Sequence, residues 1–298
     1  MGHVSAAAEP AIVVDGLRKS YGQAEAIRGI SFEVGRGEVF GLLGPNGAGK
    51  TTTVEILEGY RRRSAGSVAV LGDDPGTAGE GWRRRIGIVL QSSGIWNYVT
   101  AREVVAHWAR LADRPRPVDD VLGMVGLAEA AEQRVGTLSG GQMRRLDVAL
   151  AVVGDPELIF LDEPTTGFDP AARRQAWELV RSLRDLGTTV LLTTHYLDEA
   201  QELCDRVAIL SGGRIVAEGP PGELGPSSAR TVVRWRTASM TAAEPARSEE
   251  VEDPTELVHR LTGAALGGDP DDALTSLTVT RRSLEDVYLE LVGEEPGA

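Results

Sequence analysis

Residues Gly44-Pro45-Asn46-Gly47-Ala48-Gly49-Lys50-Thr51 constrain this chain more than any other stretch. They follow Glu38–Leu43 (EVFGLL), a short apolar run that reads as a buried strand, and they open a helical stretch, TTTVEILEG. That is G-x-x-x-x-G-K-[ST] in the strand-to-helix context where the pattern binds phosphate. The glycines let the backbone wrap so that successive N–H groups face one anion. The helix that begins near Lys50 adds its positive dipole end. Lys50 supplies a point charge for the β- and γ-phosphates, and the Thr51 hydroxyl is an oxygen ligand for Mg²⁺.

Basic-residue usage sharpens this reading. Of 31 lysines and arginines, only Lys19 and Lys50 are lysine. A chain that writes Arg almost everywhere keeps a compact ammonium where it suits phosphate better than a planar guanidinium. A second apolar run, Leu158-Ile159-Phe160-Leu161, ends in Asp162-Glu163-Pro164. Beside a phosphate loop, a strand-end Asp162 serves the Mg²⁺, and Glu163 stands ready to polarise a water for in-line attack.

Composition excludes several classes. The chain has 298 residues, 42% hydrophobic and 25% charged, the profile of an ordinary globular protein. A formal net charge of −13 argues against a surface built to neutralise nucleic-acid phosphates. No apolar stretch approaches the roughly 18 residues that cross a bilayer, so any membrane role is expected to be peripheral. MGHVSAAAEP lacks the marks of a cleaved signal peptide. One cysteine, Cys204, excludes a disulfide framework, and its helical setting reads as a small buried apolar residue.

The first 220 residues alternate β-runs and helical stretches. Strands are expected at Ala11–Leu17, Ala26–Val34, Ser67–Leu71, Ile86–Leu90 and Thr188–Thr193, and helices at Pro170–Leu186 and Tyr196–Cys204. Arg206–Leu210 and Arg214–Ala217 read as a hairpin around Ser211-Gly212-Gly213. The pattern implies a mainly parallel sheet with helices on both faces. Residues 94 to 155, richer in Ala, Arg and Leu, read as an inserted helical subdomain. A boundary falls near GPPGELGPSS (219–228), and residues 226–298 read as a small α+β accessory domain. Within it, the acidic stretch TAAEPARSEEVEDP is expected to be a mobile loop. The arginine clusters at 61–63, 83–85, 144–145 and 281–282 read as solvated surface charge, with the first two also available to an anionic lipid surface.

Leu138-Ser139-Gly140-Gly141-Gln142 precedes a helix that begins Met143-Arg144-Arg145. LSGGQ is the signature of the ATP-binding-cassette (ABC) ATPases, and residues 11–220 resemble that family. Its other landmarks follow in order. Tyr21 stands where an aromatic stacks on adenine, and Gln91 where a lid glutamine serves the metal and catalysis. Asp169, in Thr166-Gly167-Phe168-Asp169, stands in the D-loop, with Phe168 replacing the usual Leu, and His195 occupies the switch histidine's place. The resemblance implies a P-loop NTPase cassette with an antiparallel β subdomain and a helical subdomain. It extends nucleotide binding across Gly44–Thr52, Thr52 included, and makes Glu163, His195 and Gln91 the catalytic set. Thr51, Gln91 and Asp162 would hold Mg²⁺. It also implies that Leu138–Gln142 act in trans, capping ATP held by a second cassette subunit, most simply in a homodimer.

The tail SLEDVYLEL (283–291) resembles those of ABC-2-type export ATPases, the daunorubicin-resistance-like class. Membership implies an ATP-hydrolysing subunit, peripheral on the cytoplasmic face of the membrane, that powers a separate transmembrane permease. The helical subdomain and the segment after Gln91, with Trp96 and Tyr98, are where such a permease would be gripped. The competing reading is a soluble ABC ATPase that acts on nucleic acid or ribosomes. The acidic charge, the single cassette and the lack of a long coiled-coil insertion favour transport.

Overall fold

The structure, a computed structural model, describes residues 9–89, 97–224, 231–241, 244, 246–267, 273–281 and 284–293. It divides into two compact units, Met1–Glu218 and Gly219–Ala298.

In the first unit, β1 (Ile12–Tyr21) pairs antiparallel with β2 (Ala24–Val34) on one side and β4 (Ala65–Val70) on the other. The central sheet has six strands: β3 (Val39–Leu43), β5 (Ile86–Val89), β6 (Leu158–Asp162), β7 (Thr189–Thr194), β8 (Arg206–Ser211) and β9 (Arg214–Gly219). Its order is β5-β6-β7-β3-β8-β9, and the first four neighbouring pairs are parallel. β3 and β7 are buried along their whole length, as strands covered on both faces must be. The hairpin β8–β9 turns on Gly212 and Gly213, both with positive φ, the conformation a two-residue turn needs.

The two sheets share one core. Phe32 of β2 stacks on Phe40 of β3 with ring centroids 5.4 Å apart. Ile12, Leu17, Ile27, Leu42 and Leu57 close around them. Each fully buried side chain of this size contributes roughly 1.5–3 kcal/mol of apolar transfer. Cys204 is buried as expected, and a Cβ at Gly41 would lie only 2.8 Å from its sulfur.

Helix α1 (Lys50–Leu57) follows β3, and the short α2 (Glu80–Arg83) precedes β5. The expected helical insertion contains α3 (Ala101–Ala109), α4 (Val118–Met124) and α5 (Gly140–Val152). Two helices follow the next two strands: α6 (Pro170–Asp185) after β6 and α7 (Leu197–Leu203) after β7.

The second unit carries a three-stranded antiparallel sheet, ordered β11 (Arg247–Val251), β10 (Thr231–Thr237), β12 (Leu274–Arg281), with helices α8 (Thr255–Gly267) and α9 (Leu284–Gly293). β11 corrects one expectation. It lies within the acidic stretch read as a mobile loop, and it pairs with β10 from Thr231↔Val251 to Trp235↔Arg247. Backbone pairing at a sheet edge carries this strand. Four of its five side chains are exposed, so it shows no apolar alternation to read.

Candidate functional site

The loop from Gly44 to Gly49 leaves the C-terminal end of β3 and enters α1. Two of its glycines are fixed by close approach. A Cβ on Gly44 would sit 2.3 Å from the Leu210 carbonyl oxygen, and one on Gly49, with φ +108°, 2.9 Å from that of Ala26. Pro45, Asn46, Gly47 and Ala48 complete the turn, closed by the Ala48 N–H donating to Pro45 O at 3.2 Å. Thr51 is exposed and Thr52 half-buried in the first turn of α1. No side chain caps that helix, so its first N–H groups face the loop.

The Lys50 side chain is only 5% exposed. Its ammonium donates to Gly44 O at 2.8 Å and Pro45 O at 3.2 Å. Burial pulls its pKa down, while the Glu163 and Asp162 carboxylates oppose that. Glu163 Oε1 is 3.7 Å from Lys50 Nζ and 3.4 Å from His195 Nδ1. Thr166 Oγ1 donates to the other Glu163 oxygen at 3.2 Å. Glu163 has φ +46°, a left-handed backbone that costs a non-glycine residue energy. The Glu163 N–H, which donates to Thr193 Oγ1 at 2.9 Å, holds it there. The Thr193 hydroxyl in turn donates to Asp162 Oδ1. One threonine of β7 thus fixes the Glu163 backbone and the Asp162 carboxylate together.

His195 Nδ1 is buried and makes no hydrogen bond of ordinary geometry. An orphaned ring nitrogen beside Glu163, whose carboxylate also meets Lys50, fits a site that receives a further polar group, as a terminal phosphate would supply. The donor set fits Mg²⁺ as well. Thr51 and Asp162 offer hard oxygens, and among the described residues no group of three or more His, Cys, Asp or Glu can hold a metal. Mg²⁺ in phosphate sites takes one or two carboxylates and shares the substrate's oxygens, so a sparse set suffices.

Tyr21 ends β1, 42% exposed, with Lys19 Nζ 5.0 Å and Arg61 Cζ 5.4 Å from its ring centre. Ser139 caps α5: its hydroxyl accepts from Gln142 N–H, and Gln142 Oε1 accepts from Ser139 N–H at 2.8 Å. Ser139 and Gly140 are exposed, while Leu138, Gly141 and Gln142 are half-buried. Among the described residues no hydrogen bond joins 138–142 to the phosphate loop. The structure therefore brings Lys50, Asp162, Glu163 and His195 together and leaves the serine-capped helix tip facing outward. Asp169 caps α6 through Ala171 and Ala172 N–H at 2.8 Å. Gln91 and Trp96 lie outside the described residues. Tyr98 is 88% exposed.

The reading of the arginines as solvated charge needs correction at one position, Arg144. Arg61, Arg63, Arg84 and Arg85 stay at the surface, as ion pairs with Glu55, Asp74, Asp113 and Glu157, and Arg282 lies outside the described residues. Arg144 turns inward, where burial lowers its pKa, and reaches Pro164 O and Asp162 O at 3.4 and 3.5 Å. It ties α5 to the acidic strand end. Sequence reasoning missed Arg144 and Thr193. The run Met143-Arg144-Arg145 gives no sign of which arginine turns in, and Thr193 looks like any strand threonine.

A glycine-rich loop closed on a buried lysine, with an acidic strand end and a histidine beside it on this fold, is the arrangement of an ATP-binding cassette. The sequence profile of the ABC transporter family matches residues 27–166. The daunorubicin/doxorubicin resistance ATP-binding protein DrrA of Streptomyces peucetius is 39% identical over 95% of this chain and 92% of its own length. The Nod factor export ATP-binding protein I of Rhizobium sp. (strain N33) is 36% identical over 96% of this chain and 98% of its own. Among solved structures, cbiO1 from Clostridium perfringens, part of the ABC transporter complex cbiONQ, superposes with a TM-score of 0.66 at 28% identity, covering 72% of this chain and 90% of that one. The chain belongs to the ABC transporter family as an ATP-binding, ATP-hydrolysing subunit. Among the described residues no helix is long and apolar enough to cross a membrane.

Proposed function

We propose that this chain powers an ABC-2 type exporter from the cytoplasmic face of the membrane, hydrolysing MgATP in a head-to-tail homodimer. The observation that carries the reading is the position of Glu163 Oε1 between Lys50 Nζ and His195 Nδ1 at the end of the phosphate loop. The Gly44–Thr52 backbone and the Lys50 ammonium hold the triphosphate, and Tyr21 stacks on the base. Thr51 and Asp162 would hold Mg²⁺, with Gln91 completing that set, and the ion would supply charge neutralisation on the phosphate oxygens. Glu163 orients the attacking water, and His195 hydrogen-bonds the terminal phosphate. The outward-facing tip Ser139–Gln142 caps the nucleotide of a second copy, and Asp169 faces that interface. Residues 11–220 form the cassette and 226–298 an accessory domain. End-to-end similarity to an anthracycline-resistance and a Nod-factor-export subunit supports export over action on nucleic acid.

The permease docks on the helical side of the cassette. A groove of about 580 Å³ between the end of α1, β5, α3 and α5 supports this. Its rim carries Tyr60, Trp108 and Leu111, three large exposed hydrophobics in one place, a patch that marks an interaction site. The test is copurification from detergent-solubilised membranes with a transmembrane permease. Trp108→Ala with Leu111→Ala is expected to abolish capture and leave the isolated subunit's ATPase rate unchanged. Undiminished capture would move the docking site elsewhere.

A further inference from the structure

Glu199 is fully buried, at 0% exposure, and the reaction as described makes no use of it. It lies on α7, four residues after His195. Its Oε1 accepts from the Trp177 indole N–H on α6 at 3.1 Å. The Thr194 and Thr165 hydroxyls flank the same carboxyl, one preceding His195 and the other following Glu163. Burial raises the Glu199 pKa, so the fold bears a cost to keep an acid here. Even so, Glu199 Oε2 and Thr165 Oγ1 make no hydrogen bond of ordinary geometry. Two buried polar groups beside one another, each without an ordinary partner, leave the carboxyl with an unused acceptor on the side of the Thr165 loop.

The surrounding contacts show what the joint connects. α6 starts at Asp169, and α7 starts just after His195. Between these helices Arg173 pairs with Asp198 at 3.1 Å and lies over the Tyr196 ring at 4.3 Å, while Arg181 pairs with Glu202. These exposed pairs set the helices side by side but contribute little each. Glu199 reaches both loops from inside the fold.

We propose that Glu199 is a positioning residue that joins the loop bearing His195 to the loop running from Glu163 to Asp169, so that the two move as one body when nucleotide binds. This rests on the role given to His195 above. The Trp177 indole of α6 and the Thr194 hydroxyl beside His195 meet on this one carboxyl, with Thr165 next to it, and any shift of the His195 loop is carried to Asp169 through it.

The test is steady-state ATPase kinetics of the full chain, with its permease if the isolated subunit is slow. Glu199→Gln keeps size and the Trp177 contact but turns an acceptor facing the threonines into a donor. It is expected to lower kcat about tenfold or more with KM for ATP within about twofold. Glu199→Gln combined with His195→Ala is expected to be no slower than His195→Ala alone, as for residues acting through one path. Trp177→Phe, which keeps the ring and loses the donor, should give a smaller loss of the same kind if Glu199→Gln does not fold. Melting temperatures separate a packing role: variants that melt earlier but turn over normally per folded molecule overturn the proposal. Losses that multiply in the double variant overturn it too. A slow His195→Ala beside a normal Glu199→Gln refutes the joint alone, whereas a normal His195→Ala refutes the histidine's role and the joint with it.

Discussion

Lys50 and Glu163 face each other, ammonium nitrogen 3.7 Å from carboxylate oxygen, across the floor of the phosphate loop. The contact sets a competition, because the same ammonium must meet the phosphates. Glu163→Gln keeps the shape and removes the charge. Turnover should fall by about 10²- to 10³-fold, the usual loss when a positioned base is removed. ATP affinity should hold or rise, since Lys50 loses its ion pair with Glu163 and keeps only the Asp162 charge nearby. Phosphate release and equilibrium dialysis read the two separately, and gel filtration should show an ATP-trapped dimer. Turnover near that of the parent would remove Glu163 from its role.

Lys50 itself sits in a closed setting, bonded to the Gly44 and Pro45 carbonyls. Lys50→Ala should weaken ATP binding by one to two decades, corresponding to about 1.5–3 kcal/mol for a hydrogen bond to a charged group. Lys50→Arg should not restore it. A planar guanidinium cannot take the ammonium's place between two backbone carbonyls in a side-chain site 5% exposed. Full rescue by Arg would show the loop to be far more open than its geometry implies.

Ser139 faces outward, capping α5 with Gln142 and bonded to nothing in the phosphate loop. If it serves the nucleotide of another copy, two dead variants should complement. Ser139→Arg and Lys50→Ala chains, each inactive alone, form a mixed dimer with one site lacking both groups and one site intact. Mixed in equal amounts they should recover roughly a quarter of parental turnover, from half the dimers carrying one good site each. Ser139→Arg alone should still bind ATP with parental affinity. No recovery on mixing, with mixed dimers demonstrated, would defeat action in trans.

The parts of this architecture carried by local chemistry were legible in the chain. The phosphate loop announces itself because glycine spacing, a buried strand and a lysine in an arginine-rich chain agree. Asp162 and Glu163 follow four apolar residues, so their place at a strand end could be read directly. What could not be read depends on partners distant in sequence. Thr193 lies about thirty residues from the two acidic residues it holds, and Glu199 meets Trp177 only because α6 and α7 pack together. Arg144 looks like surface charge until the loop after β6 folds over it. β11 escaped notice because an edge strand is held by its backbone and needs no apolar face.

Asp74 offers a test of stability apart from the reaction. Its carboxylate takes both Arg63 Nη1 and Nη2, at 2.8 and 2.7 Å, and the Gly76 N–H at 2.9 Å. Hydrogen bonding from Arg63 chiefly lowers its pKa from 3.8 to about 2. A carboxyl whose folded value lies below its unfolded one stabilises the fold fully above the unfolded value. That contribution fades as pH falls through 4 toward 2. The Asp74 side chain is 37% exposed, so solvent screening keeps the contribution to about 1 kcal/mol. Asp74→Asn should therefore unfold at lower urea than the parent at pH 7, and the gap between the two should narrow as pH drops from 4 to 3. A gap of constant size across that range would mean that the charged pair contributes nothing and that the hydrogen bonds alone, which an amide oxygen also accepts, hold this turn.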